Sequence, residues 1–445
     1  MAITGIRLKK KGAPHGINLP ESKFTAESPI EPLPLPEKVI LPLHQNLGAP
    51  CEAVVTRGAK VLTGQKIGDS EKYVSAPIHA SVSGEISGTP MVINPPTGRL
   101  IKALTVTSDG EDKWAELEVA KNPKALSIKK LLEKIREAGI VGLGGATFPT
   151  HVKLAPPKDK KIDTVILNGC ECEPYITADH RVMLEYGEKV LSGLSIIKKV
   201  LSPDDVYIAI EDNKEDAIDH LEELVVSMGF KDEFKIIPLK SKYPTGAEKT
   251  LISTILGRQV PIGGLPLDIG VIVQNVGTAK AIHDAIFEGK PLIERVVTVT
   301  GAVKNPKNLL VRLGTPLRSL IDYCGGIEGK ANEIILGGPM MGISHFDLGF
   351  PVTKGTSCVL VKETTPVKEM ECINCGRCLS VCPMNLMPTM FARYAKAGRY
   401  DACKEAYIDN CVECGTCAYA CPAHIPIVQY TKVAKSELSK RTANK

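Results

Sequence analysis

Eight cysteines near the end of the chain fall into two runs with identical spacing. The first run is Cys372, Cys375, Cys378 and Cys382, and the second is Cys411, Cys414, Cys417 and Cys421. Each run reads C-x2-C-x2-C-x3-C and ends in proline, which is the bacterial pattern for binding two [4Fe–4S] clusters. Three closely spaced thiolates fit one cluster, and the fourth cysteine binds the other cluster. We therefore predict two ligand sets: Cys372, Cys375, Cys378 and Cys421, and Cys411, Cys414, Cys417 and Cys382.

Zinc sites and disulfides are the alternatives for closely spaced cysteines. Zinc needs one C-x2-C pair per half site and no trailing x3-C-P, so the pattern favours iron–sulfur clusters. Two neighbouring clusters conduct single electrons, so electron transfer is the predicted function class. Using thiols as ligands fits a reducing compartment, and six further cysteines also fit one: Cys51, Cys170, Cys172, Cys324, Cys358 and Cys403.

Composition argues against several other classes of protein. The aromatic fraction is 4%, with Trp114 as the single tryptophan, which is low for a protein that binds nucleic acid by stacking on bases. The formal charge of +5 counts the cysteines as neutral and indicates no polyanionic partner. No apolar run approaches the roughly 18–20 residues of a membrane span, and the first residues lack a signal-peptide core. We therefore expect a cytoplasmic location, compatible with docking on a membrane complex.

The elements that must position the clusters divide into several regions. Residues 1–37 are proline-rich and predict an extended arm. Residues 38–125 contain short β runs between glycines and resemble barrel-sandwich domains of the biotinyl/lipoyl type. Those carriers have a lysine at the hairpin tip, where this chain reads IHASV, so we expect a scaffold without a swinging arm.

Strands and helices alternate in residues 126–290, which predicts a Rossmann-like α/β domain with a mainly parallel sheet. The predicted strands are the β-branched runs TVILN, VYIAI, FKIIP and IGVIVQN, and residues 180–201 form one of the predicted helical stretches. Residues 291–362 predict a small β-grasp module, in which RVVTVTGAV, LLVRLG and EIILGG are the β runs and TPLRSLIDYCG is a short helix. Residues 363–430 predict an α-helical, ferredoxin-like domain for both clusters. The basic tail, residues 431–445, is interpreted as a frayed, solvated terminus, with a membrane or partner contact as the alternative.

A glycine-rich turn, Gly142–Pro149, follows the first predicted helix of the α/β domain. It is no dinucleotide fingerprint, because Thr147 replaces the last glycine and the turn follows a helix instead of a strand. Its glycines let backbone N–H groups approach a ligand closely, and Lys153 supplies positive charge nearby. The turn is therefore a candidate cradle for a flavin, with a plain loop as the alternative.

Polar residues also follow several of the predicted strands. The acidic loop, residues 168–174, reads NGCECEP and lies at the carboxyl end of a strand, where α/β sheets bind ligands. Its C-x-C spacing does not suit a cluster, so Cys170 and Cys172 are expected to be buried thiols. Residues 243–248 open a later helix and residues 274–278 cap another. Each feature alone also suits simple helix capping.

Together these features resemble the flavin-binding subunit of respiratory complex I. The resemblance implies that FMN and nucleotide are bound by Gly142, Gly144, Gly145, Lys153, Asn168, Glu171, Glu173, Gly246, Glu248, Asn275 and Thr278. Within this set it implies that Glu173 contacts the nicotinamide nucleotide. One acidic position of that family, two residues after Asn168, is Cys170 here.

Over nearly its whole length the chain resembles the C subunits of the Rnf electron-transport complex. The resemblance implies an NADH-oxidising, electron-input subunit of an ion-translocating NAD:ferredoxin oxidoreductase, with FMN and two [4Fe–4S] clusters. It further implies a peripheral position on the cytoplasmic face, held by the membrane subunits and by the ferredoxin-like B subunit. The cobalamin reductase of propanediol-using microcompartments shares this domain order and is the alternative enzyme.

Two hypotheses from other classes stay open. A flavin-free iron–sulfur relay would keep the clusters and lose NADH oxidation, and an iron–sulfur sensor would need only one cluster. Because flavin and clusters carry the chemistry, no proton-transferring catalytic residue is expected. The sequence leaves open Na⁺ or H⁺ as the coupling ion, the direction of electron flow, the cluster potentials and the choice between NADH and NADPH.

Overall fold

The computed structural model describes residues 6–93 and 98–443. Within those ranges no helix is long and apolar enough to cross a membrane. All fourteen cysteines are free thiols. The architecture is mixed α/β, as the sequence predicts.

The arm is extended and lies against other domains. Its start runs beside the α/β domain, where Arg7 and Lys11 form single bridges to Ile236 and Leu239. Further along, strand β1 (Ile30–Pro32) joins the β-grasp sheet in parallel. The arm therefore connects two domains by backbone pairing.

The predicted barrel-sandwich region consists of two small sheets. A five-stranded sheet has the order β2-β9-β7-β4 with β8 added beside β9, and a three-stranded sheet has the order β3-β5-β6. The strands are β2 (Lys38–Pro42), β3 (Glu52–Ala53), β4 (Lys60–Val61), β5 (Lys66–Asp69), β6 (Ile78–His79), β7 (Gly84–Gly88), β8 (Met91–Ile93) and β9 (Leu100–Ser108). Alternating burial along β9 places one of its faces in the core, as expected for an antiparallel sheet.

The α/β domain has a parallel sheet with the order β12-β11-β10-β13. Its elements are α1 (Ile128–Glu137), α2 (Thr150–Lys153), β10 (Thr164–Asn168), α3 (Ala178–Glu185), α4 (Gly187–Leu201), β11 (Asp205–Glu211), α5 (Glu215–Ser227), β12 (Lys235–Leu239), α6 (Glu248–Leu256), β13 (Val271–Asn275) and α7 (Val276–Phe287). The four strands are the predicted β-branched runs. The helical stretch predicted over 180–201 is divided at Tyr186 into α3 and α4. At the start of α4, Gly187 packs so closely on Leu224 that a Cβ would lie 2.6 Å from that side chain.

The β-grasp module supplies five strands of a six-stranded mixed sheet, in the order β1-β15-β14-β18-β16-β17. Its elements are β14 (Glu294–Gly301), β15 (Lys307–Arg312), α8 (Leu317–Tyr323), β16 (Glu333–Leu336), β17 (Ile343–His345) and β18 (Cys358–Lys362). The sequence predicted β14, β15, α8 and β16. Strands β17, of three residues, and β18, of five, were not predicted.

The cluster domain is helical and internally repeated. Its helices are α9 (Arg377–Ser380), α10 (Pro388–Lys396), α11 (Tyr400–Glu405), α12 (Thr416–Tyr419) and α13 (Ile427–Ala443). Helices α12 and α13 begin 39 residues after α9 and α10, the same offset that separates the two cysteine runs. The expected frayed tail is wrong as far as Ala443, because α13 continues through it and is held by Lys435 and by an ion pair of Arg441 with Asp401.

Candidate functional site

The glycine-rich turn lies on the first turn of α7. Its ends are joined by the Gly142 N–H, which donates to the Phe148 carbonyl at 2.9 Å. The Leu143 N–H donates to the hydroxyl of Thr278 at 2.9 Å, which ties the turn to α7. Gly144 and Gly145 are exposed, and a Cβ at Gly145 would meet open space. The turn therefore presents bare backbone next to a helix N-terminus, an arrangement that suits an anionic group.

Two asparagines close the carboxyl edge of the sheet. Asn168 and Asn275 end β10 and β13 and are partners in register. The Asn275 side chain caps α7 by accepting from the N–H groups of Gly277 and Thr278. The Asn168 amide donates to the Gly246 carbonyl at 2.9 Å. Sheet topology thus brings together residues from three separate parts of the sequence.

Lys153 and Glu248 form an ion pair of 2.7 Å at the same edge. Lys153 ends α2 and Glu248 begins α6, and both side chains are partly exposed. The sequence places both residues in the site but does not predict that they pair with each other. A bound anion would compete with Glu248 for the Lys153 ammonium.

The Glu171 carboxylate is hydrogen-bonded within the protein. Its carboxylate accepts from the N–H groups of Asp179 and His180, at 2.6 and 3.2 Å, and so caps α3. Asp179 in turn accepts from the Asn275 amide at 2.6 Å. Desolvation and the neighbouring Glu171 carboxylate raise the pKa of Asp179 to about 7. Asp179 is a member of the site that the sequence did not indicate.

The β-grasp module also contacts the glycine-rich turn. Arg295 on β14 is buried, with 6% exposure, and points one N–H at the Leu143 carbonyl at 3.5 Å. It donates another hydrogen bond to the Lys354 carbonyl. Leu143 is therefore held on its N–H side by Thr278 and on its carbonyl side by Arg295.

Glu173 faces the β-grasp module. Its two carboxylate oxygens accept from the N–H groups of Met340 and Met341, at 3.1 and 2.8 Å. Desolvation raises the pKa of Glu173 to about 7, although these hydrogen bonds oppose the shift. A Cβ on Gly338 would lie 2.1 Å from the same carboxylate, so the chain approaches it closely. A nucleotide contact of Glu173 stays a prediction.

Tyr243 joins the α/β domain to the cluster domain. Its buried hydroxyl donates to the Cys414 carbonyl at 2.7 Å and lies 3.5 Å from the Glu173 carboxylate. The Gly263 N–H makes a second link, to the Asn410 side chain at 3.3 Å. The loop carrying Cys414 is thus fixed against the acidic loop.

The four cysteines of the second ligand set line one pocket. Cys382, Cys411, Cys414 and Cys417 all border it, together with apolar side chains that include Phe391 and Val428. Desolvation raises the pKa of Cys411 to about 11 and also raises that of Cys414. Such thiols lose their protons when a metal coordinates them. Four thiols around one apolar pocket match the donor set of a [4Fe–4S] cluster.

The first ligand set is closer to solvent. Cys372, Cys378 and Cys421 pack around one small core, and Cys375 is exposed. The Asn374 N–H and the Thr389 hydroxyl lower the pKa of Cys372. Cys417 of the second set lies in the same core, so the two predicted sets adjoin each other and differ in burial, and both ligand assignments stay predictions.

Left-handed backbone conformations recur at equivalent places in the two runs. Asn374, Gly376 and Asn385 have positive φ in the first run, and Glu413, Gly415 and His424 have positive φ 39 residues later. A left-handed residue beside a right-handed one turns successive N–H groups toward one side, which suits an anionic cluster. The donor set and the backbone together fit iron–sulfur clusters, and the bare glycine turn fits a flavin.

Cys170 is fully buried, as expected, whereas Cys172 is only half-buried. Sequence reasoning singled out residues 243–248 but did not predict the contact of Tyr243 with the cluster domain, and it missed Lys23, Asp179 and Arg295. These residues carry no local motif, and each acts on a segment distant in the chain.

Four family models match consecutive parts of the chain. They are described as the RnfC barrel sandwich hybrid domain (residues 11–111), the Nuo51 FMN-binding domain (135–284), the SLBB domain (296–344) and a 4Fe-4S dicluster domain (371–425). The predicted fold class is confirmed. The first match begins inside the predicted arm.

Curated relatives cover most of the chain. The C subunit of the proton-translocating ferredoxin:NAD(+) oxidoreductase complex of Clostridium ljungdahlii is 48% identical, over 86% of this chain and 84% of the relative. The C subunit of the Na(+)-translocating complex of Acetobacterium woodii is 44% identical, over 87% and 88%. The C subunit of the ion-translocating oxidoreductase complex of Pseudomonas aeruginosa is 41% identical, over 87% of this chain and 50% of the relative.

A solved NAD⁺-reducing [NiFe]-hydrogenase in its H2-reduced state shares the fold. It has a TM-score of 0.50 and 16% identity, covering 72% of this chain and 67% of that one. The relatives, together with the order of the four domains, confirm the family resemblance. This chain belongs to the C subunits of ion-translocating ferredoxin:NAD(+) oxidoreductase complexes.

Proposed function

We propose that this chain is the subunit through which NADH electrons enter such a complex, by way of FMN and two [4Fe–4S] clusters. The contact of Tyr243 with Cys414 carries the proposal, because it fixes a cluster-ligand loop against the acidic loop of the flavin-type domain. A flavin takes up the two electrons of a hydride together and passes them on singly, as iron–sulfur clusters require.

Different groups of residues would hold the flavin and each of the two clusters. The exposed backbone at Gly144 and Gly145, with the N-terminus of α7, would hold the anionic part of FMN. Cys382, Cys411, Cys414 and Cys417 would hold a cluster in the buried pocket beside the flavin domain. The other set would hold a cluster near solvent.

The two ligand sets differ in burial, which suggests a direction of electron flow through the protein. The buried set is linked to the flavin domain through Tyr243, whereas Cys375 of the other set is exposed. An external acceptor would therefore approach the exposed set. Relatives are named as subunits of complexes, so we propose partner subunits that place this chain peripherally on the cytoplasmic face of the membrane.

The test uses the whole chain, purified without oxygen. FMN is measured after extraction, and the cluster absorbance is followed while NADH is added. We expect bound FMN and bleaching by NADH. A chain that contains clusters and no flavin, and that only dithionite bleaches, would instead be a flavin-free relay.

A further inference from the structure

One lysine of the arm, Lys23, is surrounded by backbone carbonyls of residues 171–176, a segment that overlaps the acidic loop. The Lys23 ammonium donates to the carbonyls of Glu171, Glu173 and Ile176, at 2.8, 2.9 and 2.6 Å. An ammonium has three N–H donors, so these carbonyls use all of them. Lys23 therefore acts as a fixed centre around which residues 171–176 fold.

This turn of chain needs such support because its backbone is strained. Glu171 and Tyr175 have φ of +49° and +72°, in the left-handed region that side chains other than glycine rarely adopt. Residues held in such conformations persist only when their surroundings fix them. The carbonyls of Glu171 and Glu173, on either side of Cys172, both turn toward Lys23.

Neighbouring arm residues strengthen the contact. The Tyr175 N–H donates to the Glu21 carbonyl at 2.9 Å, and the Phe24 ring meets the Tyr175 ring edge-on at 5.8 Å. The hydroxyls of Thr25 and Thr177 are hydrogen-bonded in the interior. The arm thus holds this part of the chain at several points, with Lys23 at the centre.

The surroundings of Lys23 lower its pKa on balance, so its charge is held in place by the three carbonyl contacts. Desolvation and the nearby Lys214 ammonium lower the pKa of Lys23, while the Glu171 and Glu211 carboxylates raise it. Lys214 donates to the Cys170 carbonyl at 2.6 Å, so two cations hold successive carbonyls of the same loop.

We propose that Lys23 is a positioning residue for the nucleotide end of the site, acting from the arm through the acidic loop. The inference rests on the proposed function, because it needs the acidic loop to take part in NADH oxidation. Lys23 sets the direction of both Glu171 and Glu173 by holding their carbonyls. The arm is then part of the site and more than a linker.

The test compares Lys23→Met with the parent and with Lys9→Met, which changes an exposed lysine of the same arm. Hydrogen exchange of peptides covering 168–177 is measured in the loaded full-length protein. We expect about tenfold faster exchange in Lys23→Met only, with flavin and iron retained. The KM for NADH should rise severalfold while dithionite still reduces the clusters.

Lys23→Arg is the second variant, because it keeps the charge but cannot reproduce the compact three-carbonyl contact. It should fall between the parent and Lys23→Met in both exchange and KM. Unchanged exchange in Lys23→Met would overturn the proposal, as would faster exchange with an unchanged KM. If the parent itself fails to oxidise NADH, the proposed function has failed, and the exchange result still decides whether Lys23 holds the loop.

Discussion

The Tyr243 hydroxyl donates a hydrogen bond of 2.7 Å to the carbonyl of Cys414, a predicted cluster ligand on another domain. Tyr243 is buried, so water does not compete for this hydrogen bond. The carbonyl belongs to the ligand residue itself. This contact therefore couples the position and the electronic environment of one ligand set to the flavin domain.

Tyr243→Phe should change the midpoint potential of the cluster bound by Cys414 and leave that of the other cluster unchanged. Losing a donor near a ligand removes an interaction that favours the more negative, reduced state, so the midpoint potential of that cluster should fall. Redox titration followed by EPR should resolve the shifted signal. Tyr430→Phe is the matched control, because that hydroxyl bonds to Glu369 and not to a ligand. Equal potentials in Tyr243→Phe and the parent would contradict this prediction.

Cys378→Ala should remove the exposed cluster. Cys378 lies with Cys372 and Cys421, and none of these borders the buried pocket. Iron should fall from about eight towards about four per chain, since each cluster contains four irons. Cys403→Ala is the control, because Cys403 is buried between helices and lies outside both sets. Loss of all iron in Cys378→Ala would argue against independent sites.

Gly144→Val should block flavin binding. A Cβ at Gly144 would already lie 3.4 Å from the Asn275 side chain, and valine adds two methyl groups beyond it. The bulk should cover the exposed backbone of the turn and disturb the cap of α7. Extracted FMN should drop while iron stays at the parental level, because the ligand sets lie in another domain. Normal flavin content would show that the glycine turn is a plain loop.

The parallel sheet could be read from the sequence because its strands are buried on both faces. TVILN and IGVIVQN are continuous β-branched runs, and they correspond to β10 and β13. The carboxyl ends of such strands lie at one edge, so Asn168 and Asn275 could be placed together before their contacts were known. The cysteine spacing similarly indicated both ligand sets.

Contacts between domains could not be read in the same way. Lys23, Tyr243 and Arg295 act on residues 148, 171 and 152 positions away, respectively, and no local pattern encodes such a partner. The roles of Glu171 and Glu173 as a helix cap and an interdomain acceptor depend equally on the assembled fold. Local sequence identified the polar groups and did not show what each one faces.

Lys354 should make stability depend on pH. This buried lysine of the β-grasp module donates to the carbonyls of Pro77 and Gly139, at 2.7 Å each, and so joins three domains. Desolvation lowers the pKa of Lys354 to about 7. Between that value and the ordinary one of 10.5, the unfolded chain binds the extra proton, so this residue makes the folded state more stable as pH rises.

The measurement compares thermal midpoints of the parent and Lys354→Met from pH 7 to pH 9. As pH rises, the free energy of unfolding of the parent should increase relative to that of Lys354→Met, by at most about 1.4 kcal/mol per pH unit. Lys9→Met changes an exposed lysine and should follow the parent. A constant difference between the parent and Lys354→Met across this range would mean that Lys354 stays charged in the folded protein.

Glu173→Gln tests whether this carboxylate contacts NADH or only holds the β-grasp module against the α/β domain. The amide keeps one oxygen acceptor but turns an NH2 group toward the N–H of Met340 or Met341, which leaves one of them unsatisfied. Loss of one such hydrogen bond costs about 1–3 kcal/mol. If Glu173 contacts NADH, the loss of one charged hydrogen bond to the nucleotide, also on the order of 1–3 kcal/mol, should appear as a KM for NADH raised roughly tenfold or more, with FMN retained.

The pH profile distinguishes the two roles further. Because the pKa of Glu173 is raised to about 7, the parent loses this negative charge as pH falls from 8 to 6, and its KM should approach that of the always neutral Glu173→Gln. Glu248→Gln, which removes the carboxylate paired with Lys153, provides a comparison at the flavin end of the site. If Glu173→Gln leaves the KM unchanged and only increases hydrogen exchange in residues 338–342, the carboxylate holds the β-grasp loop and does not contact NADH.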